Sequence, residues 1–165
     1  MKYIVDSSCF MTASRVSNPI DIAVSFWDKI AQLAQNHAFY SIDKVKEEIK
    51  VNDDLLSKWC KDNLPKDFFI STESDEVYNK YSELVNWAQS KNIKQSGIDK
   101  FIDASKADIY FVAFASLSPN EYTVVTEEVS AVDSKKDIKL PDACAAFGIR
   151  SINFIQMLRE LKVQF

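Results

Sequence analysis

Four carboxylates stand where they could act together. Asp6 follows the apolar run "YIV" near the amino terminus, and Glu128 closes "YTVVTEE". Each is an acid at the end of a strand-like segment. Asp108 opens the apolar "ADIYFVAFA", where a charge is costly unless it is paired, hydrated or bound to a cation. Glu48 lies in "VKEEI", at the edge of an apolar helical face. Taken singly, each has an ordinary explanation as a turn residue, a solvated face or an acid favoured by a helix dipole. As a set they repel one another unless cations neutralise them. Ligands that are all oxygen suit Mg²⁺ or Mn²⁺. Two such ions about 4 Å apart activate a water and stabilise the leaving oxygen of a phosphodiester.

Other chemistries are poorly provided for. The chain has one histidine, His37, and three widely spaced cysteines, Cys9, Cys60 and Cys144, with no CxxC pair. Zinc of the Cys/His kind is therefore not expected. No Ser/His or Cys/His pair suggests a protein nucleophile, and hydrolysis by an activated water needs none. The cysteines read as free thiols in a reducing compartment. No signal peptide and no run of about 20 apolar residues is visible, so a cytoplasmic protein with no membrane partner is expected. The net charge of −4 gives no global attraction to nucleic acid. Contact with a polyanion must come from a local basic patch or from bound cations. Lys106, Arg150 and Arg159 are candidates for phosphate contacts, against an ordinary reading as surface charge. Asp142 in "LPDAC" reads as an acid of a first helical turn.

These groups must be positioned by an α/β framework. With only two glycines and four prolines, helix should dominate over tight-turned β structure. "MKYIV", "HAFYSI", "EYTVVTEE" and "IRSIN" read as short strands. "NPIDIAVSFWDKIAQLAQN" reads as an amphipathic helix capped by Asn18, started by Pro19 and carrying Ile22, Phe26, Ile30 and Leu33 inward. "SIDKVKEEIK" is a second helix with Ser41 or Asp43 as cap. "VNDDLLSKWCKDN" places Leu55, Leu56 and Trp59 inward. "DEVYNKYSELVNWAQSKN" carries a Val77/Tyr81/Leu84 stripe. "IDASKADIYFVAFASL" is apolar nearly all round and should be central. "LPDACAAFG" and "FIQMLREL" complete the helices. Trp27, Trp59 and Trp87 read as core packing. Strands alternating with helices predict a parallel sheet covered on both faces. Ligands of such sheets bind beyond the carboxyl ends of the strands.

In this order and spacing, "YIVDSS", "VKEEI", "ADIYFVAFA" and "VVTEE" resemble the motifs of the PIN-domain nucleases, over nearly the whole chain. The closing "LPDACAAFGIRSINFIQMLREL" looks like a bacterial PIN-like subgroup. The resemblance implies a single domain over residues 1–165, a three-layer α/β/α sandwich with a roughly five-stranded parallel sheet. It implies a Mg²⁺- or Mn²⁺-dependent endoribonuclease, similar to the VapC-like toxin of a type II toxin–antitoxin pair. RNA would be the substrate and an antitoxin protein a partner, with a homodimer left open. Asp6, Glu48, Asp108 and Glu128 match the family acids residue by residue. The fourth position departs from the pattern, since the usual Asp is Glu. Glu127 remains an alternative to Glu128, and Glu47 to Glu48. Ser8 matches the family's Asp-x-Ser and, with Thr126, could hydrogen-bond a carboxylate or a water. Three rival readings stay open: a PIN-like binding module with a degenerate site, a nuclease acting on DNA, and a phosphoacceptor domain. The last is weakened because "YIVDSS" offers one acid and "VVTEE" no lysine.

Overall fold

The computed structural model describes residues 1–164. Its centre is a sheet of five parallel strands in the order β3-β2-β1-β4-β5. The strands are β1 (Lys2–Val5), β2 (Phe39–Ile42), β3 (Phe69–Ile70), β4 (Tyr122–Val125) and β5 (Arg150–Ile152). Tyr3 of β1 pairs with Phe39 on one side and Thr123 on the other. Nine α-helices flank the sheet among the described residues: α1 (Ser7–Thr12), α2 (Val24–Gln35), α3 (Asp43–Val51), α4 (Leu55–Asn63), α5 (Asp75–Gln89), α6 (Gln95–Phe101), α7 (Asp108–Ala115), α8 (Leu140–Ala146) and α9 (Phe154–Glu160). The expected α/β architecture with a five-stranded parallel sheet is the one observed. No helix among the described residues is long and apolar enough to cross a membrane.

The chain runs β1, β2, β3 outward in one direction, then returns to β4 beside β1 and continues to β5. The order therefore reverses between β1 and β4. At such a switch point the flanking connections leave in opposite directions and open a crevice at the carboxyl edge. Asp6 and Glu128 both follow strands that border it.

The core is continuous from β1 to α9. Ile4, Val5, Phe39, Ile42, Val124 and Val125 are fully enclosed, as a sheet covered on both faces requires. Helix α7 lies against α5 with Ile109, Phe111 and Val112 inaccessible to solvent. Trp27 packs edge-on against Trp59, with ring centroids 4.7 Å apart. All three cysteines are buried free thiols.

Several boundaries differ from expectation. Helix α2 starts at Val24, not after Asn18, because Pro19 opens a turn in which Ala23 N–H donates to Pro19 O. Ile22 is consequently 77% exposed and not inward. Neither Ser41 nor Asp43 caps α3. Ser41 is inside β2 with its hydroxyl on Val5 O, and Asp43 is the first helical residue, binding Thr72 and the Lys44 N–H. In α4 the cap is Asp54, and Leu55 faces solvent while Leu56 and Trp59 are buried. The helix expected from Ile102 begins only at Asp108. Asp103 accepts the Ser105 N–H and hydroxyl, a local turn that competes with helix. Strand β3 and helices α1 and α6 were not expected. All three are short, and β3 has only two residues.

Candidate active site

The Asp6 N–H donates to Val125 O at 2.8 Å, so the ladder between β1 and β4 runs right up to the carboxylate. Asp6 then sits at the start of α1 with an extended backbone, and its side chain does not cap the helix. It is turned into the crevice. Oδ2 accepts from Ser8 Oγ at 2.6 Å and from Thr126 Oγ1 at 3.0 Å. The two hydroxyls are held in place from behind. Ser8 Oγ accepts the Glu127 N–H at 3.1 Å, and Thr126 Oγ1 accepts the Glu128 N–H at 3.1 Å. A serine two residues after the acid and a threonine at the end of the neighbouring strand thus fix one oxygen of Asp6. Ser8 and Thr126 both hydrogen-bond a carboxylate, that of Asp6.

Glu48 reaches the same crevice from α3. Its Oε1 accepts the Ala107 N–H at 2.9 Å, satisfying one of the free amides at the start of α7. Its Oε2 accepts from Ser7 Oγ at 2.7 Å. Ser7 has one hydroxyl proton, and this contact takes it; Asp6 Oδ1 lies 3.4 Å from the same oxygen. Ser7 therefore links the Asp6 and Glu48 positions, a role the sequence reading did not assign although "DSS" offers two serines. Glu47 is exposed, so Glu48 is the α3 acid that belongs to the site.

Asp108, at the first position of α7, is half-buried, and its carboxylate receives no hydrogen bond from any described residue. Burial raises its pKa to about 7, and the charges of Asp6, Glu128 and Glu48 push in the same direction. Lys100 opposes them, but it is also paired with Asp137 at 4.0 Å. Burial likewise raises Asp6 to about 6. The Ser8 and Thr126 hydrogen bonds pull it down, and the charges of Glu48 and Glu128 add to the rise. Asp6 and Asp108 thus both feel the charges of Glu48 and Glu128, and Asp108 also that of Asp6.

Residues 3–165 match the family described as Domain of unknown function (DUF4411). The chain belongs to the DUF4411 family. No curated protein matches it.

In this DUF4411 chain the two adjacent glutamates after β4 go separate ways. Glu128 Oε2 accepts the Leu140 N–H at 2.9 Å, at the start of α8, and its charge is felt by Asp6 and Asp108. Glu127 Oε1 accepts the Phe154 N–H at 3.0 Å, at the start of α9. Its charge is felt by Cys9. Of the two, Glu128 acts on Asp6 and Asp108, while Glu127 ties α9 to the end of β4.

The remaining candidates fall outside the crevice or on its rim. Arg150 lies at the amino end of β5, where it holds Glu160 through two contacts of 2.5 and 3.0 Å. That is the edge of the sheet opposite the acids, so Arg150 is not placed to contact a phosphate there. Asp142 binds the Ser130 hydroxyl and the Ala131 N–H, fastening the loop before α8. Lys106 is exposed one residue before Ala107, on the rim.

The donor set fits a hard divalent cation in chemistry: four carboxylates, two hydroxyls, no sulfur and no imidazole. Among the described residues, no group of three or more His, Cys, Asp or Glu side chains stands ready to hold a metal ion. Glu48 and Glu128 each commit at least one oxygen to a helix amide, which restrains them from closing further on Asp6 and Asp108.

Proposed function

We propose that this protein is a metal-dependent endoribonuclease that hydrolyses RNA phosphodiester bonds at the carboxyl edge of β1 and β4. What supports the reading is that the charges of Glu48 and Glu128 act on both Asp6 and Asp108 near the carboxyl edge of β1 and β4, where burial and those charges raise both aspartates. Carboxylates that repel one another at neutral pH make an acceptor for Mg²⁺ or Mn²⁺. Asp6 and Asp108, whose carboxylates face no cation at hydrogen-bonding distance, would hold the ion directly. Glu128 would contribute through Oε1, the oxygen not engaged with Leu140, and Glu48, both of whose oxygens accept hydrogen bonds, through water. When bound, the cation supplies a water acidic enough to attack phosphorus and a charge to stabilise the leaving oxygen.

The chain's own residues set the stage for that chemistry. Ser8 and Thr126 fix Asp6 Oδ2, so that Oδ1 faces the crevice. Glu48 anchors the start of α7 and with it Asp108. Asp108, half-buried at a helix start, can carry a proton near neutral pH and give it up when a cation arrives. The resemblance to PIN-domain nucleases adds the biological role of a toxin in a type II toxin–antitoxin pair. That role rests on analogy, not on the site.

A second reading draws on the helix-amide bonds of Glu48 and Glu128. If these acids serve only to start α7 and α8, the crevice is a degenerate site in a binding module. Titration with Mg²⁺ and Mn²⁺ by calorimetry, on wild type and Asp6→Asn, paired with cleavage of total RNA, separates the two. Metal binding and cleavage that both vanish in the variant support the nuclease. Absence of metal binding in the wild type supports the module.

A further inference from the structure

On the face of α3 turned away from Glu48 lies a groove of about 880 Å³, walled by α3, α4 and the chain leading into β3. Five lysines line it: Lys46 and Lys50 from α3, Lys58 and Lys61 from α4, and Lys66 from the connecting chain. All five are exposed, and none makes an ion pair among the described residues. Two aspartates, Asp53 and Asp62, also line the groove, and neither comes within ion-pair distance of a lysine. One quarter of the chain's 20 cationic residues therefore faces one depression, in a protein whose net charge is −4. Lys50 and Lys61 sit in the last turns of their helices, where a cation is favoured by the dipole alone. Lys46, Lys58 and Lys66 have no such reason to be there.

We infer that this groove binds the phosphodiester backbone of a single-stranded nucleic acid. The inference rests on the nuclease reading for its biological sense, but it concerns a different surface, across α3 from the acids. Charge complementarity selects a polyanion. Five unpaired ammonium groups, four on two packed helices and Lys66 on the chain that follows them, suit a run of regularly spaced negative charges, and each phosphate neutralised releases condensed counterions. The floor is apolar, with Ile49, Leu64 and Phe69. Phe69 gives a base a ring to lie against, as single-strand grooves commonly do. A duplex, whose bases are already paired and stacked inside it, offers Phe69 no free base face. The local basic patch that an acidic chain needs in order to meet nucleic acid is thereby located.

The test uses the full chain carrying Asp108→Asn, in EDTA, with a labelled oligouridylate as probe and fluorescence anisotropy as readout. On a single strand each lysine–phosphate contact contributes about −0.7 to the slope of log K against log salt, so five contacts give about −3.5. The variant with Lys50→Gln, Lys58→Gln and Lys61→Gln added should bind at least ~10-fold more weakly at low salt, with a slope near about −1.4. Its thermal midpoint should fall only by the little that the helix dipole loses at Lys50 and Lys61, since the lysines are exposed and unpaired. An unchanged slope in that variant overturns the inference. So does a duplex of equal length that binds as tightly, or a polyglutamate that displaces the probe as well as unlabelled oligouridylate does, which would assign the groove to an acidic polypeptide. The two readings fail separately. Salt-dependent groove binding by a wild-type protein that never cleaves leaves the groove and removes the nuclease. Cleavage by wild type with an unchanged slope in the lysine variant removes the groove and leaves the nuclease.

Discussion

Two carboxylates at opposite edges of the same sheet behave in opposite ways. At the amino edge, Glu160 accepts from Tyr3 Oη at 2.7 Å and from the Arg150 guanidinium through both its oxygens. The Arg150 and Tyr3 hydrogen bonds hold Glu160 down at about 2. At the carboxyl edge, Asp6 accepts two hydroxyl hydrogen bonds and is nevertheless pushed up to about 6. Both acids are well hydrogen-bonded. The difference is the company: a guanidinium at one edge, burial and two further carboxylates at the other. A structural ion pair is finished when the chain folds. The carboxyl edge is left with negative charge that the fold does not neutralise, which is the condition under which a site recruits something from outside.

The largest expected effect follows from removing charge at that edge. Asp108→Asn keeps the size and helical position of the side chain and forfeits no hydrogen bond made by the carboxylate. Cleavage of RNA should fall by at least ~10²-fold, since a directly held cation contributes several kcal/mol to such a reaction. Activity within a few-fold of wild type would remove Asp108 from the mechanism. Arg150→Gln at the other edge should leave the cleavage rate unchanged.

Next comes the dependence of stability on pH. A carboxyl whose folded pKa is raised binds its proton more tightly in the folded state than in the unfolded one. Asp6 and Asp108 therefore stabilise the fold at low pH relative to high pH, and this advantage is lost as pH rises from about 4 through about 6 and about 7. For buried Asp6 the difference is on the order of 3 kcal/mol. In EDTA, Tm should drop between pH 5 and pH 8, and Asp6→Asn should flatten that drop. Glu160 acts in the reverse sense, but it is exposed to solvent and screened, so its contribution is smaller. Adding Mg²⁺ should raise Tm at pH 8 and do little at pH 5, because a cation binds the ionised folded state and competes with protons there. A Tm that rises from pH 5 to pH 8 in EDTA would show that the acids are neutralised by the chain itself.

The sequence spelled out the acids better than their supports. Asp6, Glu48, Asp108 and Glu128 were legible because each interrupts or borders an apolar run, and alternation of strands with helices placed two of them at strand ends. The sequence named Glu48 and Glu128 but left Glu47 and Glu127 open beside them. Adjacent residues in a helix or just past a strand differ only in direction, and direction depends on how the element packs. Ser7 was invisible for a related reason: its partner Glu48 is 41 residues away. Strand β3 was missed because two residues carry no periodicity, and its pairing with β2 is what makes it a strand. The lysine groove was missed because periodicity reports one helix at a time. Lys46 and Lys50 share a face of α3, and Lys58 and Lys61 share a face of α4, but only packing reveals that the two faces meet.

A finer contrast, between β4 and the residue just past its end, has the smallest expected effect. Thr126 and Thr123 are three residues apart, and both are buried. The Thr126 hydroxyl is fully used, donating to Asp6 and accepting the Glu128 N–H. The Thr123 hydroxyl has no hydrogen-bond partner among the described residues. Valine has nearly the shape of threonine without the polar atom. Thr123→Val should therefore stabilise the protein, by roughly 1 kcal/mol, since it removes a buried polar group that forms no hydrogen bond. Thr126→Val should cost a similar amount, because it strands one lone pair of Asp6 and one backbone amide. The same exchange should raise the pKa of Asp6 and slow cleavage at pH 6 more than at pH 8, since a hydrogen bond that favours its charged form is gone. Equal and opposite shifts in Tm from one substitution inside β4 and just past its end would show that the hydroxyl at the carboxyl edge is there for the acid, and that the one inside the sheet is not.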